Sequence, residues 1–161
     1  MSAKDSFEEM IDVDRLTRLR RSVLPTLHAV KRPLGGFAQC VMHPTEYVGT
    51  VESDFRSFHA DLREMSFSRE PISSLKCHRD GRLSAGSWVR RTSILADDQL
   101  HVTLFLRDKE AIDVCAHWER SWITHPVEHY RAIGWDTEEG VRRMRSLLVE
   151  HDVDFRIGSF G

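Results

Sequence analysis

Residues 99–107 alternate without a break: Leu100, Val102, Leu104 and Leu106 are interleaved with His101, Thr103, Phe105 and Arg107. Successive side chains of an extended chain point to opposite faces, so a period of two specifies a strand with one face toward a core. A lone strand cannot satisfy its own backbone. The chain must therefore contain a sheet that receives this segment.

Other segments supply the partners and the cover. Residues 47–52 read as a second strand, and Phe55, Phe58, Leu62 and Met65 share one face of a helix. Residues 72–78 and 82–91 flank Asp80-Gly81, a hairpin signal because a primed turn needs positive φ. Ala111, Cys115, Trp118 and Trp122 recur at helical spacing and predict a helix over 109–122. Thr124 is placed to cap a shorter helix with Pro126 in its first turn and Gly134 at its end. Asp136 and Glu139 form a capping box for a last helix that turns Val141, Met144, Leu147 and Leu148 inward. Val153, Phe155 and Ile157 suggest a closing strand.

At the other end, Leu16, Leu19, Val23 and Leu27 make a helical stripe that Pro25 should kink or end. Pro33, Gly35 and Gly36 follow as a linker. The predicted fold is α+β: a mainly antiparallel sheet of about five strands with helices on one side, plus a helical N-terminal arm. The arm and linker take residues 1–36, and a single domain takes 37–161.

Charge narrows the function classes. The 161 residues hold 23 Lys+Arg against 25 Asp+Glu, which hides a basic segment at 15–32 without any acid. Six cations there concentrate positive potential, yet a pI near 6.5 lacks the footprint of a dedicated nucleic-acid binder. The expected role of the arm is packing on the domain or on a second copy of the chain, with its Arg residues solvated. No stretch reaches the roughly 18–20 apolar residues of a membrane span. Five acids and no apolar run in residues 1–14 exclude a secretory or mitochondrial signal, so a cytoplasmic protein with reduced thiols is expected.

Chemistry is concentrated in the imidazoles. Four of the nine His, namely His101, His117, His125 and His129, fall within residues 101–129, with Glu119 and Glu128 among them. Imidazole titrates near neutrality and binds divalent metals, and carboxylates orient it for either task. His101 and Thr103 lie two apart on the alternating strand and therefore share a face. This His-x-Thr arrangement resembles one half of the signature of the 2H phosphoesterases, which cleave phosphodiesters with two such motifs. That resemblance implies an acid/base role for His101 and a phosphate-holding role for Thr103. The second half, His43-Pro44-Thr45, departs from the pattern because proline interrupts a ladder and Glu46 follows it.

His125-Pro126-Val127-Glu128-His129 spells the H-x-x-E-H of the inverzincins, with two His at i, i+4 as candidate metal ligands. Cys40, Cys77 and Cys115 read as small buried thiols: only Cys40-x-x-His43 has usable metal-site spacing, and one such pair is no zinc finger. No phosphate-cradling Gly loop is present, so no nucleotide cofactor is expected.

The expectation is a small hydrolase acting on a phosphodiester or other polar ester. Its catalytic residues would be His101, Thr103, His117 and Glu119; its metal ligands would be His125 and His129, for a divalent ion such as Zn. The competing expectation is a non-enzymatic interaction module that binds through its basic N-terminal helix and aromatic helices.

Overall fold

The structure is a computed structural model that describes residues 15–31, 40–70, 73 and 75–160. A helix α1 (Arg15–Lys31) is followed by β1 (Cys40–Val41), a 3-10 turn (Pro44–Glu46), β2 (Tyr47–Val51) and α2 (Phe55–Glu64). Then come β3 (Ser68–Arg69), β4 (Lys76–Cys77), β5 (Gly86–Arg90), β6 (Asp98–Leu106) and β7 (Ile112–Arg120). The chain closes with α3 (Pro126–Tyr130), α4 (Thr137–Glu150) and β8 (Phe155–Arg156). The fold is α+β: six strands pair antiparallel in the order β3-β5-β6-β7-β2-β8, and β1 and β4 form a small parallel pair beside them.

The alternation of β6 sets the layers. Leu100, Val102, Leu104 and Leu106 join Ile112, Val114 and Ala116 of β7 under α2 and α4, which contribute Phe55, Phe58 and Leu62, and Met144 and Leu148. Burial of each such side chain stabilises the fold by about 1.5–3 kcal/mol. Asp54 begins α2 by accepting from the Arg56 and Ser57 amides, and Asp136 begins α4 by accepting from the Glu139 amide.

The opposite face is unusual. Instead of meeting solvent it is buried, carrying polar Gln99, His101, Thr103, Asp113, His117 and Glu119 beside an apolar cluster of Phe105 and Cys115 with Met42 and Tyr47. An antiparallel sheet commonly leaves one face to water. Here irregular chain covers it: β1, the 3-10 turn, β4 and α3.

Several expectations change. Residues 109–122 are not a helix; they contain β7, whose nine-residue pairing with β6 places His101 opposite His117 and Gln99 opposite Glu119. The apolar set Ile112, Val114, Ala116 and Trp118 alternates with Asp113, Cys115, His117 and Glu119, and sheet pairing overrides the coincident helical spacing. Cys115 and His117 consequently share a face, whereas a helix would have separated them.

The Asp80-Gly81 turn forms, with Gly81 at φ +91°, but its hairpin shrinks to the single bridge Cys77↔Leu83. β4 pairs instead with β1, and β5 with β6.

In α1 the helix continues through Pro25 to Lys31, and the two stripe residues whose side chains are described, Leu19 and Val23, face outward; the side chains of Leu16 and Leu27 lie outside the described residues. Thr17 and Arg20 are buried while Leu19 is 59% and Val23 43% exposed. Arg20 donates to the Ser73 carbonyl and hydroxyl, Arg21 to the Leu83 and Ser84 carbonyls, and Thr17 to the Ala85 carbonyl. Backbone acceptors left at the end of the sheet draw in the polar face. The expected linker at Pro33, Gly35 and Gly36 lies outside the described residues.

One glycine governs how the layers meet. β2 pairs with β7 only as far as Cys115, which leaves the rest of that edge of β7 to Asp136, whose N–H and C=O exchange bonds of 2.8 Å with Trp118. α4 starts there and lies directly on β7: a Cβ on Gly140 would sit 2.2 Å from the His117 Cα and 2.6 Å from the Trp118 nitrogen. In an exposed helix Gly→Ala gains about 1 kcal/mol of propensity. Gly140→Ala is expected instead to cost about 3 kcal/mol, because backbone on both sides must shift. Urea denaturation of the variant checks the sign.

Candidate functional site

Glu119 stands at the centre of the polar face. Its Oε1 accepts from Gln99 Nε2 at 2.7 Å and from His101 Nδ1 at 2.9 Å. Its Oε2 lies 3.4 Å from His117 Nε2 and 3.3 Å from His129 Nδ1. The first three partners follow from register, since Gln99 and His101 face Glu119 and His117 across the β6–β7 ladder.

Glu46 comes from elsewhere. The 3-10 turn that begins at His43 carries it under the sheet, where Oε1 accepts from His117 Nδ1 at 2.9 Å and Oε2 from the His43 amide at 3.1 Å. Trp135 stacks on the His117 ring with centroids 3.5 Å apart, placed there by the neighbouring Asp136–Trp118 bridge.

These contacts assign tautomers. Each carboxylate only accepts, so Nδ1 of both His101 and His117 carries a proton, and whenever a ring is neutral its lone pair sits on Nε2. Both Nε2 atoms are buried and neither makes a hydrogen bond. His117 Nε2 is at ion-pair distance from Glu119 but lacks hydrogen-bond alignment. His129 Nδ1 donates to the Arg120 carbonyl at 2.9 Å, which fixes that ring in the same tautomer.

Electrostatics divide the two buried imidazoles. Burial pushes His101 below the ordinary imidazole range and outweighs Glu119. His117 is desolvated as well, yet Glu119 and Glu46 together raise it above that range. Burial would raise both carboxyls, but the His partners reverse this, holding Glu46 below and Glu119 well below the usual carboxylate range.

The cluster forms one end of a cleft of about 450 Å³. Val41, Met42, Ala132 and Trp135 supply apolar wall, and Lys76 and His129 line it with the two carboxylates and two buried imidazoles. One ligand atom each from His101, His117 and Glu119 lies within 4.8 Å of the others.

Of the predicted residues, the structure thus brings together His101, His117, Glu119 and His129. Thr103 is buried on the same face but is turned toward Ser87, 3.5 Å away, and does not line the cleft. His125 is drawn off by Asp97 at 2.8 Å and Glu128 at 3.5 Å, because as the N-cap of α3 its backbone is not yet helical. The i, i+4 pairing with His129 is therefore lost. His43, of the second His-x-Thr, is exposed and bonds its own turn at Thr45.

Glu46, Gln99, Lys76 and Trp135 were missed as site residues. Gln99 was legible as the next residue on the His101 face of the alternating strand. Glu46 and Lys76 arrive through long-range pairing that leaves no local pattern.

No protein-family model matches the chain, and neither a curated protein nor a solved structure matches it.

The linkages give the metal-free protein a stability maximum. Glu119 and Glu46 titrate lower folded than unfolded, so their contribution is present above the unfolded value of 4.5 and is lost as pH falls below it. His101, also lowered, loses its contribution as pH falls from 6.5. His117 is raised, so its contribution is full below 6.5 and disappears as pH rises through its folded value. Urea midpoints are expected to fall on both sides of a mildly acidic to neutral optimum, with Glu119→Gln flattening the acid limb.

Proposed function

We propose that the cleft is the active site of a zinc-dependent hydrolase that cleaves a small polar ester. The observation that carries this reading is the pair of buried Nε2 atoms of His101 and His117, neither making a hydrogen bond, beside the Glu119 carboxylate. A buried polar atom without a hydrogen bond costs about 1–3 kcal/mol, and here two belong to residues whose ligand atoms lie within 4.8 Å of one another. Two imidazoles and a carboxylate form a three-ligand catalytic zinc set that leaves a position for water.

Distance fits as well. Donors of a tetrahedral zinc at about 2.0–2.1 Å are separated by about 3.4 Å; His117 Nε2 lies 3.4 Å from Glu119 Oε2, and the set with His101 spans up to 4.8 Å and would draw in on an ion. Glu46 on His117 Nδ1 supplies the carboxylate–histidine–metal relay that orients a ligand and raises its basicity.

The chemistry is water activation. A dication held by His101, His117 and Glu119 would supply water activation, bringing the pKa of bound water to about 7. Hydrolysis would consume one water, its hydroxyl going to the ester centre as the bond to the leaving oxygen breaks and its proton going to that oxygen. His129, whose Nδ1 donates to the Arg120 carbonyl, lines the cleft and is the residue we assign to carry the proton between water and leaving group.

A second reading rests on α1, which exposes Leu19, Val23 and Val30. Such a face suits an interaction module or a homo-oligomer. Dilution-dependent sedimentation separates that role from the cleft.

Untagged protein is expected to hold one zinc per chain by elemental analysis. His117→Ala and His101→Ala are expected to abolish that occupancy, and Glu46→Gln to weaken affinity about 10–100-fold. Calorimetric titration with ZnCl2 measures all three. Wild-type protein that takes up no zinc, manganese or iron would overturn the reading.

A further inference from the structure

Lys76 is the second chemical feature of the cleft, and the metal centre does not use it. β4 holds it in register with Cys40 of β1, and the 2.8 Å bond from the Met42 amide to the Cys77 carbonyl extends that short ladder toward the 3-10 turn of Glu46. Lys76 therefore lines the cleft together with Glu46 and Trp135. Its ammonium has no ion-pair or hydrogen-bond partner among the described residues; its recorded contact is the Trp135 ring, 5.7 Å from Nζ to the centroid.

That position is informative because lysine beside two carboxylates would ordinarily pair with one of them. Glu46 and Glu119 are instead occupied by His43, His117, Gln99 and His101. The ammonium is left facing the ligand space. Its contribution there is a compact point charge with three donors.

Charge balance then selects among esters. Zinc and Lys76 bring three positive charges to the cleft, and the carboxylates of Glu46 and Glu119 bring two negative ones. With neutral imidazoles and water on the ion, the occupied cleft would carry a net single positive charge, which a monoanion neutralises, and the proton that water gives up stays in the cleft until the leaving oxygen takes it. A dianionic phosphomonoester would leave a negative excess in a largely apolar wall, and a neutral ester would leave Lys76 uncompensated.

Resting on the hydrolase reading above, we infer that the substrate is a phosphodiester monoanion, with Lys76 as the residue that binds a non-bridging phosphate oxygen. Trp135, stacked on His117 and 37% exposed, gives the substituent an apolar surface beside the reacting centre. The scissile step consumes one water and yields a phosphomonoester and an alcohol. The extra charge of that product favours its release from the cleft.

The test uses zinc-loaded full-length protein with three esters of one leaving group: bis(4-nitrophenyl) phosphate, 4-nitrophenyl phosphate and 4-nitrophenyl acetate, which carry one, two and no negative charges. The diester is expected to have the highest kcat/KM relative to its uncatalysed rate. Lys76→Gln is expected to reduce the diester-to-acetate preference about tenfold, mainly through KM, with Lys76→Arg restoring part of it. Zinc occupancy measured on each variant confirms that the metal centre is intact.

Binding is read separately by calorimetry with dimethyl phosphate, which Lys76→Gln should weaken about tenfold. Hydrolysis that favours the acetate or the monoester, or a diester preference that survives Lys76→Gln, would overturn the inference while leaving the hydrolase reading in place. Lys76-dependent binding of dimethyl phosphate without turnover of any ester would overturn the hydrolase reading and support the anion site.

Discussion

An ionised carboxylate inside a sheet must be compensated, and the arrangement around Glu119 follows from that requirement. Bare burial of such a charge would cost several kcal/mol or force protonation. Gln99 and His101 satisfy one oxygen from the facing strand, and His117 and His129 bring nitrogens to the other. His117 in turn needs Glu46 on its far nitrogen, which ties the 3-10 turn to the sheet. One buried charge thereby organises residues from β6, β7, the 3-10 turn and α3.

The same polar face is anchored at its other end by a second buried acid. Asp113 accepts from Thr50 at 2.7 Å, from Arg82 at 2.9 Å and from Arg107 at 3.1 Å. Arg82 also binds Asp80 and the Leu106 carbonyl, so the turn after β4 is held against the sheet. The pairing of β4 with β1 then places Lys76 over the Glu119 cluster. The two acids divide the labour: Asp113, saturated by arginines, fixes the cover, whereas the Glu119 cluster retains two Nε2 atoms without hydrogen bonds and faces the cleft. α1 adds to the cover, with Arg20 bonded to Ser73, another residue of the cleft wall.

Much of the framework was legible. The alternation of β6, the Phe55–Phe58–Leu62 face of α2 and the Asp136 cap of α4 are local patterns whose physics needs no partner, and each forms where its residues indicate. β7 was misread although its own alternation is complete, because Ala111, Cys115, Trp118 and Trp122 also fit a helix and aromatic residues suit either state. Within the cluster, His101 lies on the strand its alternation indicates, whereas His117 and Glu119, legible only by chemical type, lie on a strand where the spacing suggests a helix. His125 was selected on an i, i+4 spacing that fails because the first residue is a cap and not a helical position.

The sequence alone determined that a strand with a leucine face exists, that two amphipathic helices cover it, and that imidazoles and carboxylates are abundant near residues 101–129. Those facts depend on periods of two and 3.6 and on composition, which any short window contains. Tertiary structure decided which of those groups meet. His101 faces His117 because the β6–β7 register sets them opposite each other, and Glu46 reaches His117 across 71 residues of sequence. Trp135 stacks on His117 because Asp136 takes over the edge of β7 where β2 stops. Register and strand ends are properties of pairing between distant segments, and only the folded sheet expresses them.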